Sequence, residues 1–202
     1  MINIEQYGNF SPLGRYKGKK QIILCHTSRE VGEYLTSLKF RYNRKFDKIP
    51  HYVIDKSGKI LQLLIDTGHT NFFDNDGVNR NSIIVSLENM GWLEKKPLTN
   101  QYINWKGGIY IEEPYTKKWR DYFFWEPYTD LQLKSTAALC NKLCGDFKIN
   151  KKCVNHNTKI LGIENFEGIV SRSNYDERFT DLNPSFDFEK FLKNIEYEQI
   201  SR

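Results

Sequence analysis

Hydrophobic positions in this chain come as short apolar runs and as stripes of helical spacing, separated by polar segments rich in Asn, Gly and Lys. Gln21–Cys25 (QIILC) is a compact apolar run and reads as a buried strand. Thr27 or Ser28 can cap a helix from about Arg29 to Tyr42, with Val31, Tyr34, Leu35 and Leu38 on one face. His51–Asp55 and Lys59–Ile65 flank the turn Lys56-Ser57-Gly58, which is a hairpin signal. Ser82–Leu87 (SIIVSL) is apolar nearly throughout, as a central strand covered on both faces would be. From Trp92 to Tyr128 the periodicity dissolves into an aromatic-rich stretch, read as a long functional loop or an insertion. Thr129 and Gln132 form a capping-box pattern before a helix to about Phe147, with Leu133, Ala137, Cys140, Cys144 and Phe147 on its apolar face. Cys153–Asn155 is a short strand candidate, and Phe188, Phe191, Leu192 and Ile195 mark a last amphipathic helix. The order predicts an α/β (α+β) domain, with a central mixed sheet flanked by helices.

Composition narrows the class. A chain of 202 residues, 39% hydrophobic and 27% charged, suits a single globular domain over residues 1–202. Within it, residues 1–20 read as an N-terminal extension and 92–128 as the insertion. The formal net charge of +5 favours an anionic surface such as a cell wall. Without a basic stripe it gives no case for nucleic acid. Cys25, Cys140, Cys144 and Cys153 form no C-x-x-C pair, so they read as reduced core thiols rather than a four-thiolate zinc site. The first residues carry no charged segment followed by a long apolar run, so no signal peptide or membrane span is expected. Synthesis in the cytoplasm, action on the wall only after release by another agent, and a monomeric state are the matching expectations.

Only four histidines are present: His26, His51, His69 and His156. His26 follows a buried strand, and His156 follows the short strand Cys153–Asn155. A His at each of two strand ends, joined by one carboxylate or thiolate, would give a three-ligand zinc site with an open position, the catalytic form.

Five segments then resemble one known family in the right order. IILCHTS (Ile22–Ser28) resembles the first zinc-ligand motif of the peptidoglycan amidases, the N-acetylmuramoyl-L-alanine amidase family that includes amidase-type phage lysozymes and peptidoglycan recognition proteins. HYVIDKSGKILQLL (His51–Leu64) resembles its hairpin, GHTN (Gly68–Asn71) its cleft-lining motif, and NRNSIIVSLEN (Asn79–Asn89) its central strand. TDLNPSFDF (Thr180–Phe188) resembles its C-terminal ligand motif. The resemblance implies Zn²⁺ held by His26, His156 and Asp181. It also implies a groove lined by His69, His51 and Asn71, and peptidoglycan (a muropeptide) as substrate.

Departures from the family pattern leave alternatives open. His156 and Asp181 lie further apart than the family's spacing, and Arg172 stands where that spacing would put the second His. Either VNH (Val154–His156) is the ligand motif followed by an inserted loop, or Arg172 has replaced a ligand. A guanidinium has no lone pair for zinc. The family's acid/base positions hold Pro50 and Ser86, which leaves Glu88, on the same strand face as Ser86, as candidate proton shuttle. Phe179 stands where an oxyanion-polarising Lys or Thr is usual, with Arg178 or Lys159 as possible substitutes. The leading expectation is a zinc-dependent amidase that cuts the sugar–peptide amide, of the phage endolysin type. The alternatives are a catalytically degenerate fold acting as a peptidoglycan-binding or regulatory protein, and a virion structural protein.

Overall fold

The computed structural model describes residues 2–8, 10–44 and 46–200. In chain order the elements are β1 (Ile4–Gln6), β2 (Gly14–Arg15), β3 (Gln21–His26), α1 (Val31–Phe40), β4 (Tyr52–Ile54), β5 (Ile60–Gln62) and β6 (Gly68–His69). They continue with α2 (Asp76–Asn81), β7 (Ser82–Leu87), β8 (Trp92–Lys95), β9 (Tyr102–Asn104), β10 (Ile109–Tyr110), β11 (Tyr115–Trp119) and β12 (Tyr122–Trp125). The last three are α3 (Asp130–Phe147), β13 (Gly168–Ser171) and α4 (Phe188–Ile200).

The main sheet is mixed and runs β1-β5-β4-β7-β3-β13. β4, β7, β3 and β13 are mutually parallel, and the β4–β5 hairpin supplies the antiparallel pair. Every residue of β3 and β7 is buried, which is what their unbroken apolar runs require of interior parallel strands. Alternation divides β3 between two cores: Ile22 and Leu24 pack with Leu133, Cys140 and Cys144 of α3 and Phe191 of α4. Ile23 and Cys25 face the opposite side, with Val78 of α2 and Val170. Leu35 and Leu38 of α1 cover Val53 and Leu61 on that same opposite side. The sheet is therefore a middle layer between helices, as the sequence predicts.

Three local expectations change. Helix α1 begins at Val31 rather than Arg29, and its first N–H donates to Oε1 of Glu88 (3.0 Å), so a carboxylate from the end of β7 does the capping. The aromatic-rich stretch is a second, five-stranded antiparallel sheet in the order β10-β9-β8-β12-β11, not a structureless loop. Cys153–Asn155 makes only an isolated parallel bridge, Cys153 to Ile169, instead of a strand. The capping box at Thr129 and Gln132 forms as its spacing predicts.

Candidate functional site

The carboxyl ends of β3 and β13 lie side by side, because Ser171 is in register with Leu24 and β3 continues to His26. Parallel strands ending together expose the residues that follow them to one crevice. Here the crevice is a cleft of about 580 Å³, with His26, Arg172, Phe179 and Thr180 at its floor and Arg29, Lys48, Trp92 and Trp105 among its walls.

The floor is built around Asp181, which is fully buried. Its Oδ1 accepts from the backbone N–H of His26 (3.0 Å) and lies 2.5 Å from His26 Nε2. Its Oδ2 accepts from Nε of Arg172. Burial, and next the charge of Arg172, push the His26 pKa down to about 3, so the ring is neutral. The His26–Asp181 contact is then a hydrogen bond donated by a neutral imidazole, and the ion pair is between Asp181 and Arg172. The ring is held from above by Gly91, at φ +84°, where a Cβ would come within 2.8 Å of His26 Cε1.

Arg172 is fixed by its own turn. Residues Arg172–Asn174 form a 3₁₀ turn with a capping box between Ser171 and Asn174. The Asn174 amide in turn donates to the carbonyls of His156 and Thr158. The guanidinium carbon lies 4.4 Å from the ring centre of Phe179 and 5.8 Å from that of Phe72. One edge of the guanidinium is thus tied to Asp181 and its face is stacked, while the Arg172 side chain remains 21% exposed toward the cleft.

The other sequence candidates are not on this floor. His156 follows the isolated bridge, where the chain leaves the sheet, so its side chain is exposed; its Nδ1 accepts from Thr158 N–H (3.3 Å). The expected His26/His156/Asp181 triad is therefore not assembled. Among the described residues, no three His, Cys, Asp or Glu side chains lie close enough to hold a metal ion. A catalytic zinc needs three donors and an open position. Here two donors, His26 and Asp181, converge, and the side chain paired with the free oxygen of Asp181 is Arg172, a cation that cannot ligate. The residues present do not fit the metal.

Glu88 is also displaced from the proton-shuttle role: its two oxygens accept the backbone N–H groups of Val31 and Lys56, each at 3.0 Å. It is outside the residues lining the cleft. Ser86 is buried against Cys25, with Sγ and Oγ 3.0 Å apart, and hydrogen-bonds the Tyr34 hydroxyl. His51 belongs to the core: Nε2 reaches the Gly68 carbonyl (2.9 Å) and Nδ1 accepts from Ile84 N–H (3.0 Å). His69 sits on the small β2–β6 ladder opposite Gly14. Asn71 donates to Asp47 at the surface (2.6 Å). None of these three lines the cleft.

The walls come in part from the aromatic-rich stretch, a role its sequence allowed beside the alternative of a cover over the sheet. The tip of the β9–β10 hairpin folds against the start of α1: the Trp105 indole donates to the Ser28 carbonyl (2.7 Å), Arg29 lies over the same ring (4.9 Å), and Lys106 pairs with Glu33. Trp92 stacks on Tyr122 at 4.6 Å. The aromatic density of the stretch was the available signal, without the pairing that places it.

A family model for N-acetylmuramoyl-L-alanine amidase matches residues 16–174, most of the chain. The chain belongs to that family. The amidase fold recurs in solved structures. N-acetylmuramoyl-L-alanine amidase LysC from Clostridium intestinale URNW aligns with a TM-score of 0.55 and 12% identity, over 97% of this chain and 99% of its own. Staphylococcus aureus hydrolase AmiA aligns at 0.56 and 9%, over 96% and 81%. The amidase AmiD from E. coli, crystallised with anhydro-N-acetylmuramic acid-L-Ala-D-gamma-Glu-L-Lys, aligns at 0.52 and 15%, over 92% and 60%. Identities this low speak for the amidase fold and not for its chemistry. No curated protein matches the sequence at a significant level.

Proposed function

We propose that this amidase-family chain binds peptidoglycan in the cleft above His26, Asp181 and Arg172, and holds the sugar–peptide junction without cutting it through zinc. The observation that carries this reading is the Arg172–Asp181 pair, which ties one of the two neighbouring metal donors to a guanidinium while no third donor joins them among the described residues. The cleft supports a binding role. Among the described residues its lining titratable side chains are His26, Tyr34 and four cations, and the floor carboxylate, Asp181, is buried and held by His26 and Arg172. Burial raises the Tyr34 pKa above its ordinary value, so its phenol stays protonated. Trp92 and Trp105 offer faces on which sugar rings or peptide groups can stack. Family membership and the muropeptide bound to the AmiD fold support the choice of ligand.

A second reading is zinc-dependent hydrolysis of the same amide by an endolysin-type enzyme. It is favoured by the neutral His26 ring lying beside Asp181, two groups that can both donate to zinc. Incubation of a defined muropeptide with zinc-supplemented protein separates the two, with binding followed in parallel. Binding without release of free peptide is the expected result. Stoichiometric zinc together with chelator-sensitive peptide release would overturn the binding reading in favour of the second.

A further inference from the structure

Resting on the binding reading, we propose that the outer edge of Arg172 is a carboxylate receptor, so that the cleft selects ligands with a free carboxylate at or near the sugar–peptide junction. The guanidinium is oriented before any ligand arrives. Nε is bonded to Asp181 Oδ2, and the face rests on Phe179. Among the described residues no protein acceptor is paired with Nη1 or Nη2, and the side chain keeps its exposure toward the cleft. Those two nitrogens form a planar fork whose best partner is a carboxylate, with two coplanar oxygens and a full charge. An intact amide offers one uncharged carbonyl oxygen and leaves half the fork unmatched.

The surroundings agree. Arg29, Arg41, Lys48 and Arg172 all line the cleft, and among the described residues no Asp or Glu does. Asp181, the one carboxylate at the floor, is fully buried and is spent on His26 and Arg172. Arg29 is paired with Glu33 (3.3 Å) and Lys48 with Asp74 (3.6 Å), so the charge facing an anionic group inside this concave wall comes chiefly from Arg172.

Two parts of peptidoglycan carry this chemistry. One is the lactyl carboxylate of a muramic acid whose peptide has been removed, the product of amide hydrolysis at that junction. The other is a free carboxylate on the stem peptide. The test uses matched acids and amides. The disaccharide of N-acetylglucosamine and N-acetylmuramic acid is compared with its lactyl amide, and a muramyl dipeptide ending in D-glutamate with its diamide. Binding is read by tryptophan fluorescence and by calorimetry. At least one acid should bind on the order of ten- to a hundredfold more tightly than its amide, the span of a charge-assisted hydrogen-bond pair. The pair that shows the difference identifies the source. R172Q should bring that acid down to the affinity of its amide, and R172K, which keeps the charge and loses the fork, should fall between. Equal affinities for both acids and both amides would overturn the receptor and leave the peptidoglycan reading standing. No binding of any of the four would overturn both. The acid–amide comparison uses the unaltered protein, so it holds even if a variant at Arg172 folds poorly.

Discussion

Replacing Arg172 by leucine would strip the cation from a carboxylate that has no contact with water. Asp181 is fully buried and would keep two donors, the backbone N–H of His26 at 3.0 Å and the neutral His26 ring at 2.5 Å. Removing one partner of a buried pair costs about 3–5 kcal/mol, and the two remaining donors put this case near the lower end, about 3 kcal/mol. For a chain of this length that corresponds to a fall in Tm of roughly 6–12 °C. Removing the charge from both partners is far cheaper, because no uncompensated ion stays buried. The double variant Arg172→Leu/Asp181→Asn should therefore recover most of the loss, with a coupling energy of about 2 kcal/mol. Urea denaturation of the four proteins in the cycle, followed by tryptophan fluorescence, measures it. A cost below about 1 kcal/mol for Arg172→Leu, or strictly additive single costs, would refute the claim that this ion pair organises the floor.

Four other outcomes follow from the same geometry. Arg172→His should gain stoichiometric zinc by elemental analysis, because two neutral imidazoles and Asp181 would then make three donors; the unaltered chain should stay near zero. Burial holds both His26 and His51 near a pKa of about 3, against 6.5 for an ordinary His. The unfolded chain takes up their protons first, so stability is full above about pH 6.5 and is lost as pH falls toward 3, by up to about 1.4 kcal/mol per pH unit for each ring. Urea melts between pH 8 and 4 that show no such slope would refute the buried neutral state. Gly91→Ala should cost about 2 kcal/mol in thermal stability and shift the His26 ring signals in NMR spectra, through positive φ and the 2.8 Å approach of the new Cβ. Glu88→Ala should cost about 1–3 kcal/mol by leaving two backbone donors unpaired, yet leave muropeptide affinity unchanged in a binding titration.

The strands that build the sheet were legible because interior parallel strands have no polar face to confuse the pattern: QIILC and SIIVSL are buried at every position. The helix behind Thr129 was legible through a local cap. The second sheet was not. Its strands are two to five residues long, and β11 (YTKKW) is exposed at four of its five positions, so no alternation marks it. His26 and Asp181, singled out from motif context, meet at the floor of the cleft. VNH also has that context, but its single bridge to Ile169 is too little strand to carry His156 to the crevice. Arg172 could be weighed from spacing alone, whereas its bond to Asp181 is a matter of packing between distant segments. His51 is the mirror case: a polar residue in a recognisable motif whose two nitrogens are used by the backbone. Nothing in a one-dimensional pattern separates such a core histidine from one that faces a cleft. Glu88 follows directly after the expected strand, and the donors that occupy it come from α1 and the hairpin turn, 57 and 32 residues away in sequence.

The cation at the floor of this cleft is a side chain, and that changes how the site relates to its surroundings. A bound ion is a second solute: it has a concentration, a supply route and competitors, and a chelator or a more strongly ligating metal can take it away. A guanidinium held by its own backbone is delivered once, at synthesis, in a ratio of one per molecule. On the binding reading the cleft is therefore never in an unloaded form, and its readiness to meet a ligand does not vary with the metal content of the compartment in which it works. On the binding reading, the same permanence leaves no exchangeable coordination position through which such a site would activate water.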